Sequence, residues 1–403
     1  MILGDNMKVK ITDLDSFGRG ITKIDNKVCF VEDTLPNEVV EIEVTKEKKK
    51  YSEAIVIKYL EKSKERRNLC PYQDTCGGCD IIHLTEKLQQ SFKEEKVNHA
   101  MKYDKKIELV TSKDEFFYRN KVIFHVENNE LGFYEKKSSR LVPIDQCLLV
   151  NNKINELIPI LKELVKQNPI TEIMVRVGNV TNELMVTIKE NIKDYSKLIT
   201  YTKVLFINNK LITKDNTITS YIGDKKYLVS KDSFFQINPS ITKELYDYIR
   251  EHIRTINSKH VLDLYCGTGT IGIYISDLVN RIIGVEIVKS AVEDAKVNKE
   301  LNSVKNIEFL CGDVSDFTNI IENKVDTIIV DPPRSGLDKK IRNKLLDMNI
   351  KNIIYVSCDL YTLKRDLDLL KQNYHIEEIK AFDMFPNTHH VETVIVLKYN
   401  EKE

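Results

Sequence analysis

The stretch VLDLYCGTGT, residues 261–270, decides the fold of the C-terminal half of this chain. Its first four residues form a strand of the buried type, and the turn that follows carries Gly267 and Gly269 before a helix-like segment. Glycines at such a turn let the backbone approach a ligand closely where a strand passes into a helix. With Gly272 the stretch also fits the pattern G-x-G-x-x-G, which is weak evidence for a nucleotide pocket when it stands alone.

Strands and helices alternate on both sides of this stretch, from about Ile241 to the C-terminus. Strands separated by helices of 10–15 residues predict a doubly wound, Rossmann-like α/β domain with a largely parallel sheet. The strand-like and helix-like segments, in chain order, are LYDYIREHIRTI, VLDLYC, RIIGVEI, SAVEDAKVNKELN, NIEFLCGD, VDTIIVDPP, KIRNKLLDM, NIIYVSCD, TLKRDLDLL, EEIKAFDMF and TVIVLKY.

Acidic residues recur at the ends of the predicted strands of this domain. The four are Asp263, Glu286, Asp313 and Asp331. Because the carboxyl ends of parallel strands meet at one edge, these carboxylates should share the edge where doubly wound folds bind ligands. Repeated acidic residues suit a cationic, adenosine-bearing ligand better than a pyrophosphate. This favours S-adenosylmethionine, which carries a sulfonium and an amine, over a nicotinamide cofactor.

The composition excludes several classes of protein. The 403 residues include 61 Lys and Arg against 61 Asp and Glu, so the formal net charge is zero. A neutral chain that is 42% hydrophobic is neither a uniformly basic nucleic-acid coat nor an acidic disordered chain. No run approaches 18 apolar residues, and Asp5 interrupts the segment where a signal peptide would be apolar. We therefore expect a cytoplasmic protein without a membrane partner.

The N-terminal region, residues 7–60, reads as five short strands separated by turn residues. Such a pattern predicts a small OB-like β-barrel, with a sandwich or an SH3-like barrel as alternatives. Lys46–Arg67 holds nine Lys or Arg and four Glu, a local charge of +5. Beside a candidate oligonucleotide-binding barrel, this segment is interpreted as an edge that tracks RNA phosphates rather than a merely solvated hairpin.

The middle of the chain predicts a mixed α+β region, mostly antiparallel. Helices are expected over about Leu84–Met101 and Asn152–Gln167. The predicted domains are residues 1–62 (barrel), 63–235 (central domain) and 236–403 (doubly wound domain).

Eight cysteines are spread unevenly along the chain, and in a cytosolic protein they are expected to be reduced thiols, ligands or catalytic groups. Cys70, Cys76 and Cys79 fall within ten residues, and Cys147 could complete a set of four thiolates. Four thiolates suit either tetrahedral zinc or a [4Fe–4S] cluster. The spacing C-x3-C-x2-C of radical enzymes is absent. Cys29, Cys266 and Cys311 lie in apolar strand contexts and are interpreted as packing residues.

Five segments resemble the signature motifs of the RNA uracil-5-methyltransferase family, which includes bacterial ribosomal and transfer RNA 5-methyluridine enzymes. They are FFQIN (234–238), DLYCGTG (263–269), DPPRSGLD (331–338), VSCDLYTLKRD (356–366) and DMFPNTHHVET (383–393). The resemblance extends over nearly the whole chain and includes a TRAM-type N-terminal domain. It implies a methyltransferase fold, S-adenosylmethionine as cofactor, Cys358 as nucleophile and Glu392 as base.

The chemistry of uracil supports the same two roles. Carbon 5 is too poor a nucleophile to take a methyl group unaided, but a thiolate that adds to C6 places charge at C5. A base must then remove the C5 proton so that the thiolate can leave. Cys358 follows a predicted strand in a loop that opens a helix, and a helix N-terminus is expected to lower its pKa. The residue after Pro332-Pro333 is Arg334 rather than an aromatic one, which weakens an amine-methylating interpretation.

The resemblance also implies the cofactor contacts, which fall on Gln236, Tyr265, Gly267, Glu286, Asp313 and Asp331. Members of the ribosomal branch carry the same cysteine spacing and bind [4Fe–4S], so the resemblance favours iron–sulfur over zinc and 23S rRNA over tRNA. Catalysis would require the target base to be flipped out of its RNA.

Aromatic and basic residues are mixed in a short segment at the start of a strand of the central region, where either RNA contact or strand packing would explain them. They are Phe116, Phe117, Tyr118, Arg119 and Lys121. A monomer is expected. A noncatalytic RNA-binding or assembly protein is the alternative from another class, which would need neither Cys358 nor Glu392.

Overall fold

The computed structural model of the protein describes residues 6–317 and 325–401. The chain forms two compact units: the first comprises residues 1–99, 133–144 and 385–389, and the second residues 100–132, 145–384 and 390–403. The boundaries of the three predicted domains, 1–62, 63–235 and 236–403, stay a prediction. Residues 1–5, 318–324 and 402–403, which fall in the first and third of them, lie outside the described residues.

The first unit begins with a small β-barrel. Its strands are β1 (Asn6–Lys10), β2 (Asp13–Leu14), β3 (Gly20–Ile24), β4 (Lys27–Val31), β5 (Val39–Glu47) and β6 (Tyr51–Glu61). The strand order is β1-β5-β6-β4-β3-β2. The strands at its two ends, β1 and β2, follow each other directly in the chain, so the two edges of the sheet meet and the sheet closes into a barrel. Alternate side chains point inward and form an apolar core that includes Ile42 and Val44. The predicted OB-like barrel is confirmed.

Helix α1 (Glu86–Met101) follows the cysteine-rich loop in this unit, close to the predicted bounds. Between barrel and loop, the Arg66 guanidinium lies on the buried carboxylate of Glu38, with Nε 2.6 Å from Oε1. A buried, bidentate pair of this kind fixes the exit of the barrel.

The central part of the chain alternates strands with short helices. Its elements are β7 (Leu109–Val110), β8 (Lys121–Glu127), β9 (Glu130–Tyr134), β10 (Leu141–Pro143), α2 (Asn152–Gln167), β11 (Glu172–Val177), β12 (Leu184–Ile188), α3 (Ser196–Tyr201), β13 (Val204–Ile207), β14 (Lys210–Leu211), β15 (Ile218–Ile222) and β16 (Lys225–Val229). Strand β11 pairs antiparallel with β8 and β12, whereas β13 joins β12 in parallel.

Helix α2 illustrates how the sequence specifies these elements. Asn151 caps it by accepting a hydrogen bond from the Lys153 amide at 2.9 Å. The helix buries one apolar stripe at spacings of three and four residues, which packs it on the sheet. The buried residues are Ile154, Leu157, Ile158, Leu161, Leu164 and Val165.

The C-terminal part is the doubly wound domain that the sequence predicts. Its elements are α4 (Pro239–Thr255), β17 (His260–Leu264), α5 (Thr270–Ile275), β18 (Arg281–Glu286), α6 (Lys289–Leu301), β19 (Ile307–Cys311), α7 (Val314–Phe317), β20 (Thr327–Val330), α8 (Lys339–Asp347), β21 (Asn352–Ser357), α9 (Leu360–Leu370), β22 (Tyr374–Phe382) and β23 (Glu392–Tyr399). The sheet order is β19-β18-β17-β20-β21-β23-β22-β7.

Strands β17 to β21 of this sheet are parallel, and β23 is antiparallel to both of its neighbours. The order reverses next to β17, and open α/β sheets bind ligands at such a point. Among the helices of the described residues, none is long and apolar enough to cross a bilayer.

Candidate active site

Cys358 and Glu392 come together at the end of two hydrogen-bonded strands. In the antiparallel pairing of β21 with β23, Ser357 lies opposite Thr393. Cys358 directly follows the first of these residues and Glu392 directly precedes the second, so both lie at the same end of the ladder. The adjacent parallel strand β20 ends at Val330, which makes Asp331 the third polar residue at this edge. The sheet thus unites residues from three distant motifs.

Burial controls the protonation of these three groups. Burial raises the pKa of the Cys358 thiol to about 11, and the carboxyl groups of Glu392 and Asp331 act in the same direction. Burial raises the pKa of Asp331 to about 7. Glu392 is 4% exposed, and burial together with Asp331 holds its pKa well above the usual range. Arg334 opposes the shifts of both Cys358 and Glu392. Burial and the neighbouring carboxyl groups therefore favour the neutral forms of Cys358 and Glu392 over their charged forms.

The expectation that the helix N-terminus lowers the pKa of Cys358 was wrong. Helix α9 begins just after Cys358, but Asp359 caps it, accepting hydrogen bonds from the amides of Tyr361 at 3.0 Å and Thr362 at 2.9 Å. The amides that would have stabilised a thiolate are therefore already paired with a carboxylate.

Asp263 is a further buried carboxyl group at this edge. The sequence predicted it as one of four acidic residues at strand ends and did not distinguish it from the others. It lies within β17 and is 1% exposed, and among the described residues no full hydrogen bond reaches either carboxyl oxygen, although the Gly272 amide lies close enough to lower the pKa. Burial, followed by Asp331 and Glu286, raises its pKa to about 8. A buried acid without a partner is costly unless a ligand satisfies it, and ionised carboxylates favour a cation.

The glycine turn lies beside these carboxyl groups. Gly267 has a φ of +53° and Gly269 a φ of +76°, both in the left-handed region that glycine adopts without strain. The amide of Gly267 donates to Glu286 Oε2 at 3.1 Å, and the amide of Val288 donates to Oε1 at 2.9 Å. Glu286 is thereby fixed under the turn, at the end of β18.

The remaining predicted cofactor residues lie at different exposures around the same edge. Tyr265, half-buried with a φ of +62°, has a phenol pKa raised to about 12, first by burial. Asp313 is exposed after β19, and it accepts a hydrogen bond from the Ser315 amide at 2.7 Å.

Gln236 belongs to a segment that is held from two sides. Its carbonyl accepts a hydrogen bond from the Asn120 side chain at 2.9 Å. Just before it, the Ser233 carbonyl accepts a hydrogen bond from the buried Arg176 guanidinium, and the Ser233 hydroxyl donates to the Asp294 carboxylate of α6. Phe234, between them, is 65% exposed. A large aromatic side chain that stays exposed on a well-anchored segment is a candidate for base stacking, and the sequence alone does not distinguish it from a core aromatic residue.

The aromatic and basic segment predicted for RNA contact divides by burial. Tyr118 is 5% exposed and packs in the core, whereas Phe117 is 39% exposed at a φ of +56°. The segment leads through Asn120 to the carbonyl groups of Gln236 and Ile237. Its exposed part therefore adjoins the segment that carries Phe234.

The basic segment Lys46–Arg67 also divides. Lys48, Lys49 and Lys50 form the exposed tip of the β5–β6 hairpin. Arg66 instead forms an ion pair with the buried carboxylate of Glu38. Part of the positive charge of this segment is therefore used within the fold and not available to RNA.

The cysteines of the predicted cluster are distributed over both units. Cys70, Cys76 and Cys79 lie in the first unit and Cys147 in the second, and none of the four is part of a disulfide. The Gly78 amide donates to Cys76 Sγ at 3.4 Å, a contact that suits a thiolate. Within residues 6–317 and 325–401, no group of three or more metal-binding side chains is gathered around a common point. The thiols suit the cluster chemically, but the cluster remains a prediction.

The three cysteines interpreted as packing residues differ in exposure. Cys29 and Cys266 are buried, as expected. Cys311 is exposed at the end of β19, so its interpretation as a packing residue was wrong.

Taken together, a reversed-order parallel sheet, a glycine turn and a cluster of buried carboxyl groups define the class of S-adenosylmethionine-dependent methyltransferases. The model of the family described as tRNA (uracil-5-)-methyltransferase matches residues 84–400, and that of the TRAM domain matches residues 3–57. The chain belongs to the tRNA (uracil-5-)-methyltransferase family, as the motifs predict. It is an S-adenosylmethionine-dependent RNA methyltransferase.

Full-length relatives support this assignment. A protein named as an uncharacterized RNA methyltransferase of Clostridium acetobutylicum is 32% identical, covering 99% of this chain and 98% of its own. Another of the same description, from Caldanaerobacter subterraneus, is 33% identical, over 98% of both chains. The Pyrococcus abyssi tRNA (uracil-54, C5)-methyltransferase in complex with S-adenosyl-L-homocysteine superposes with a TM-score of 0.82 at 28% identity, covering 97% of this chain and 100% of that one.

Proposed function

We propose that this protein methylates carbon 5 of a uracil in RNA through a covalent bond between Cys358 and C6 of the base. The observation that carries the proposal is the meeting of Cys358, Glu392 and Asp331 at one buried end of β21, β23 and β20. Methylation of uracil C5 needs a nucleophile and a base placed close together, whereas a protein that only binds RNA needs neither.

The reaction uses two residues in sequence. The Cys358 thiolate adds to C6, and the electrons of the C5–C6 double bond move toward C5 and its conjugated carbonyl. C5 then attacks the methyl group that the sulfonium of S-adenosylmethionine would supply. The sulfur–methyl bond breaks and its electron pair stays on the sulfur, which would give S-adenosyl-L-homocysteine. Glu392, as a carboxylate, accepts the C5 proton, the C5–C6 double bond forms again and the Cys358 sulfur leaves as a thiolate.

The cofactor's charge accounts for how buried acids become active. Asp263, Asp331 and Glu392 are driven toward the neutral form by burial. A sulfonium and an ammonium beside them favour ionisation, which would make Glu392 a base once the cofactor is bound. The proposed holders of the cofactor are Gln236, Tyr265, Gly267, Glu286, Asp313 and Asp331.

The RNA must present an unstacked base to Cys358. Exposed Phe234 and Phe117 are proposed to receive that base and its neighbours, because both lie on segments anchored around Asn120. The tip Lys48–Lys50 of the barrel is proposed to track phosphates.

The preferred substrate is 23S rRNA, because the cysteine spacing resembles that of the ribosomal branch. Transfer RNA is the second candidate, favoured by the similarity to the Pyrococcus abyssi tRNA enzyme. Mapping 5-methyluridine in the rRNA and tRNA of a deletion strain decides between them: the RNA that loses the modification is the substrate.

We further propose that Cys70, Cys76, Cys79 and Cys147 hold a [4Fe–4S] cluster, with zinc as the alternative. Metal ligands often gather only when the metal binds, so the lack of a gathered ligand group among the described residues is compatible with such a site. Anaerobic purification is expected to give a brown protein that absorbs at about 400 nm, and the Cys76→Ser variant is expected to be colourless. A colourless protein that contains zinc would contradict the iron–sulfur proposal.

Trapping the covalent intermediate tests the mechanism. RNA that contains 5-fluorouridine should form a stable adduct in the presence of cofactor, because fluorine cannot leave C5 as a proton does. Wild-type protein is expected to give a band of increased mass under denaturing conditions, and Cys358→Ala none. An adduct that survives in Cys358→Ala would refute the assignment of the nucleophile.

A further inference from the structure

The segment Phe385–His389 is enclosed by the first unit, although it lies near the C-terminus of the chain. Asn387 is fully buried with a φ of +66°, and it exchanges two hydrogen bonds of 3.0 Å with the side chain of Gln89 in α1. From the same helix, Lys93 donates to the Phe385 carbonyl at 3.0 Å and Lys96 to the His389 carbonyl at 2.6 Å. One helix thus fixes the segment along its whole length.

The end of the cysteine loop holds the same segment from another side. The amides of Asp80 and Ile81 both donate to the Asn387 carbonyl at 3.2 Å. The Asp80 carboxylate in turn accepts from the His389 amide at 3.3 Å and lies 2.7 Å from His389 Nδ1. Asp80 directly follows Cys79, so the last cysteine of the triplet is covalently next to these contacts.

The enclosed segment leads directly to the proposed base. Three residues beyond His389, Glu392 begins β23, and Val391 between them is 2% exposed. Strand β23 is fixed in register by β21 and β22. Glu392 is thus held on its C-terminal side by the sheet, and on its N-terminal side a short piece of chain connects it to His389, which contacts Asp80.

We propose that Asp80 is a positioning residue for Glu392: by fixing His389, it sets the carboxylate that removes the C5 proton. This inference rests on the function proposed above and deepens it. Cys358 is anchored by other groups, since the Asp359 amide donates to Ser357 Oγ at 3.2 Å and Thr362 Oγ1 donates to the Arg334 carbonyl at 3.1 Å. A change at Asp80 should thus affect proton removal far more than addition to C6.

The two halves of the reaction can be measured separately in one turnover. With radiolabelled cofactor and ordinary uridine RNA, methyl transfer to RNA reports Cys358 addition and attack by C5. Release of the RNA from denaturation-resistant complexes reports removal of the C5 proton by Glu392 and expulsion of the thiolate. In Asp80→Ala, methyl transfer is expected to stay within about 3-fold of wild type, while release slows by on the order of 10- to 100-fold, because small misplacements of a catalytic group have such effects.

Two comparisons sharpen the test. Asp74→Ala removes an exposed acid from the same cysteine loop and is expected to leave both rates unchanged. His389→Ala removes the ring contact but keeps the amide contact with Asp80, so it should slow release by no more than Asp80→Ala does, and the double variant should be no slower than Asp80→Ala. Should Asp80→Ala fail to fold, Asp80→Asn retains an acceptor oxygen, and a smaller slowing of release alone is expected.

Equal slowing of methyl transfer and release in the Asp80 variants would overturn the inference, as would unchanged release. The proposed function fails separately: if wild-type protein forms no adduct with 5-fluorouridine RNA, the mechanism itself is wrong. A wild-type adduct together with normal release in Asp80→Ala removes only the positioning role.

Discussion

At the scale of single residues, the site is governed by buried acids. Asp263, Asp331 and Glu392 have pKa values raised first of all by burial. Each is of little use as a neutral acid, but each can respond to a cation placed beside it. A cationic cofactor bound beside these groups, as proposed above, would therefore favour the loss of their protons.

The titration of Cys358 is a direct measure of this environment. Since only the thiolate is alkylated, iodoacetamide should react with Cys358 about tenfold faster per pH unit between pH 7 and pH 10. Glu392→Gln removes a carboxyl group that raises the pKa of the thiol, so its reaction curve should move to lower pH. Alkylation mapped by mass spectrometry gives the rate, with exposed Cys311 as the internal control. A curve that does not move in Glu392→Gln would contradict the assigned coupling.

Asp263 should make the cofactor-free protein less stable as the pH rises. Its folded pKa, about 8, lies above the unfolded value of about 3.9, so the folded state binds the proton more tightly. Its contribution to stability is therefore lost as the pH increases from about 4 through 8. Asp263→Asn should leave stability nearly unchanged at pH 4 and raise it by about 1–3 kcal/mol at pH 8.5.

Urea unfolding of the cofactor-free protein at the two pH values checks the Asp263 prediction. Asp313→Asn is the control, because Asp313 is exposed at the same sheet edge. A gain that is equal at both pH values, or larger at pH 4, would show that the Asp263 carboxyl does not titrate as described.

At the scale of elements, the β17–α5 turn contains two glycines with different constraints: packing restricts Gly269, whereas Gly267 borders open space. A Cβ at Gly269 would lie 2.4 Å from the Phe309 ring at a φ of +76°, whereas a Cβ at Gly267 would meet no atom within 4 Å. Gly267→Ala should therefore fold, at a cost of about 1–2 kcal/mol for its left-handed backbone. Its methyl group projects into the open space beside the turn, where the cofactor is proposed to lie, so binding should weaken.

Gly269→Ala is the matched comparison and should lower the melting temperature more than Gly267→Ala does, because it adds a clash to the same strain. Thermal unfolding gives the stabilities, and calorimetry with S-adenosyl-L-homocysteine gives the affinity. Unaltered affinity in Gly267→Ala would place the ligand away from the turn.

At the scale of the whole molecule, zero net charge conceals an uneven distribution. The hairpin tip of the barrel presents Lys48, Lys49 and Lys50 to solvent, while acids collect at the sheet edge of the second unit. RNA phosphates interact with the local charge of the surface that they contact. A net charge of zero for the whole chain therefore does not oppose RNA binding.

Replacing the three lysines of the tip by alanine should weaken RNA binding and make it less sensitive to salt. If all three contact phosphates, the slope of log K against log salt should fall by roughly 2 to 3, because each contact contributes about 0.7–0.9. Filter binding at several salt concentrations measures the slope. Exposed Lys166, Lys193 and Lys210 of the second unit form the control triple, which should leave the slope unchanged.

Much of this molecule follows from the sequence alone. Periodicity and turn residues determine the barrel, α1, α2 and the alternation around VLDLYCGTGT, because local patterns and caps specify such elements. They did not reveal β13, whose four residues are all buried, since a short apolar run has no distinctive period. The motifs named Cys358, Glu392 and the class of reaction.

The environment of those residues depends on how the elements pack. Pairing of β21 with β23 places Cys358 near Glu392, and burial there reverses the pKa shift that the helix position predicts. Asp80 and His389 lie 309 residues apart in the chain yet share a hydrogen bond. A sequence records which groups are present and which elements they form. Burial and long-range contact arise only when those elements pack: here burial raises the pKa of the Cys358 thiol, and packing brings Asp80 to His389.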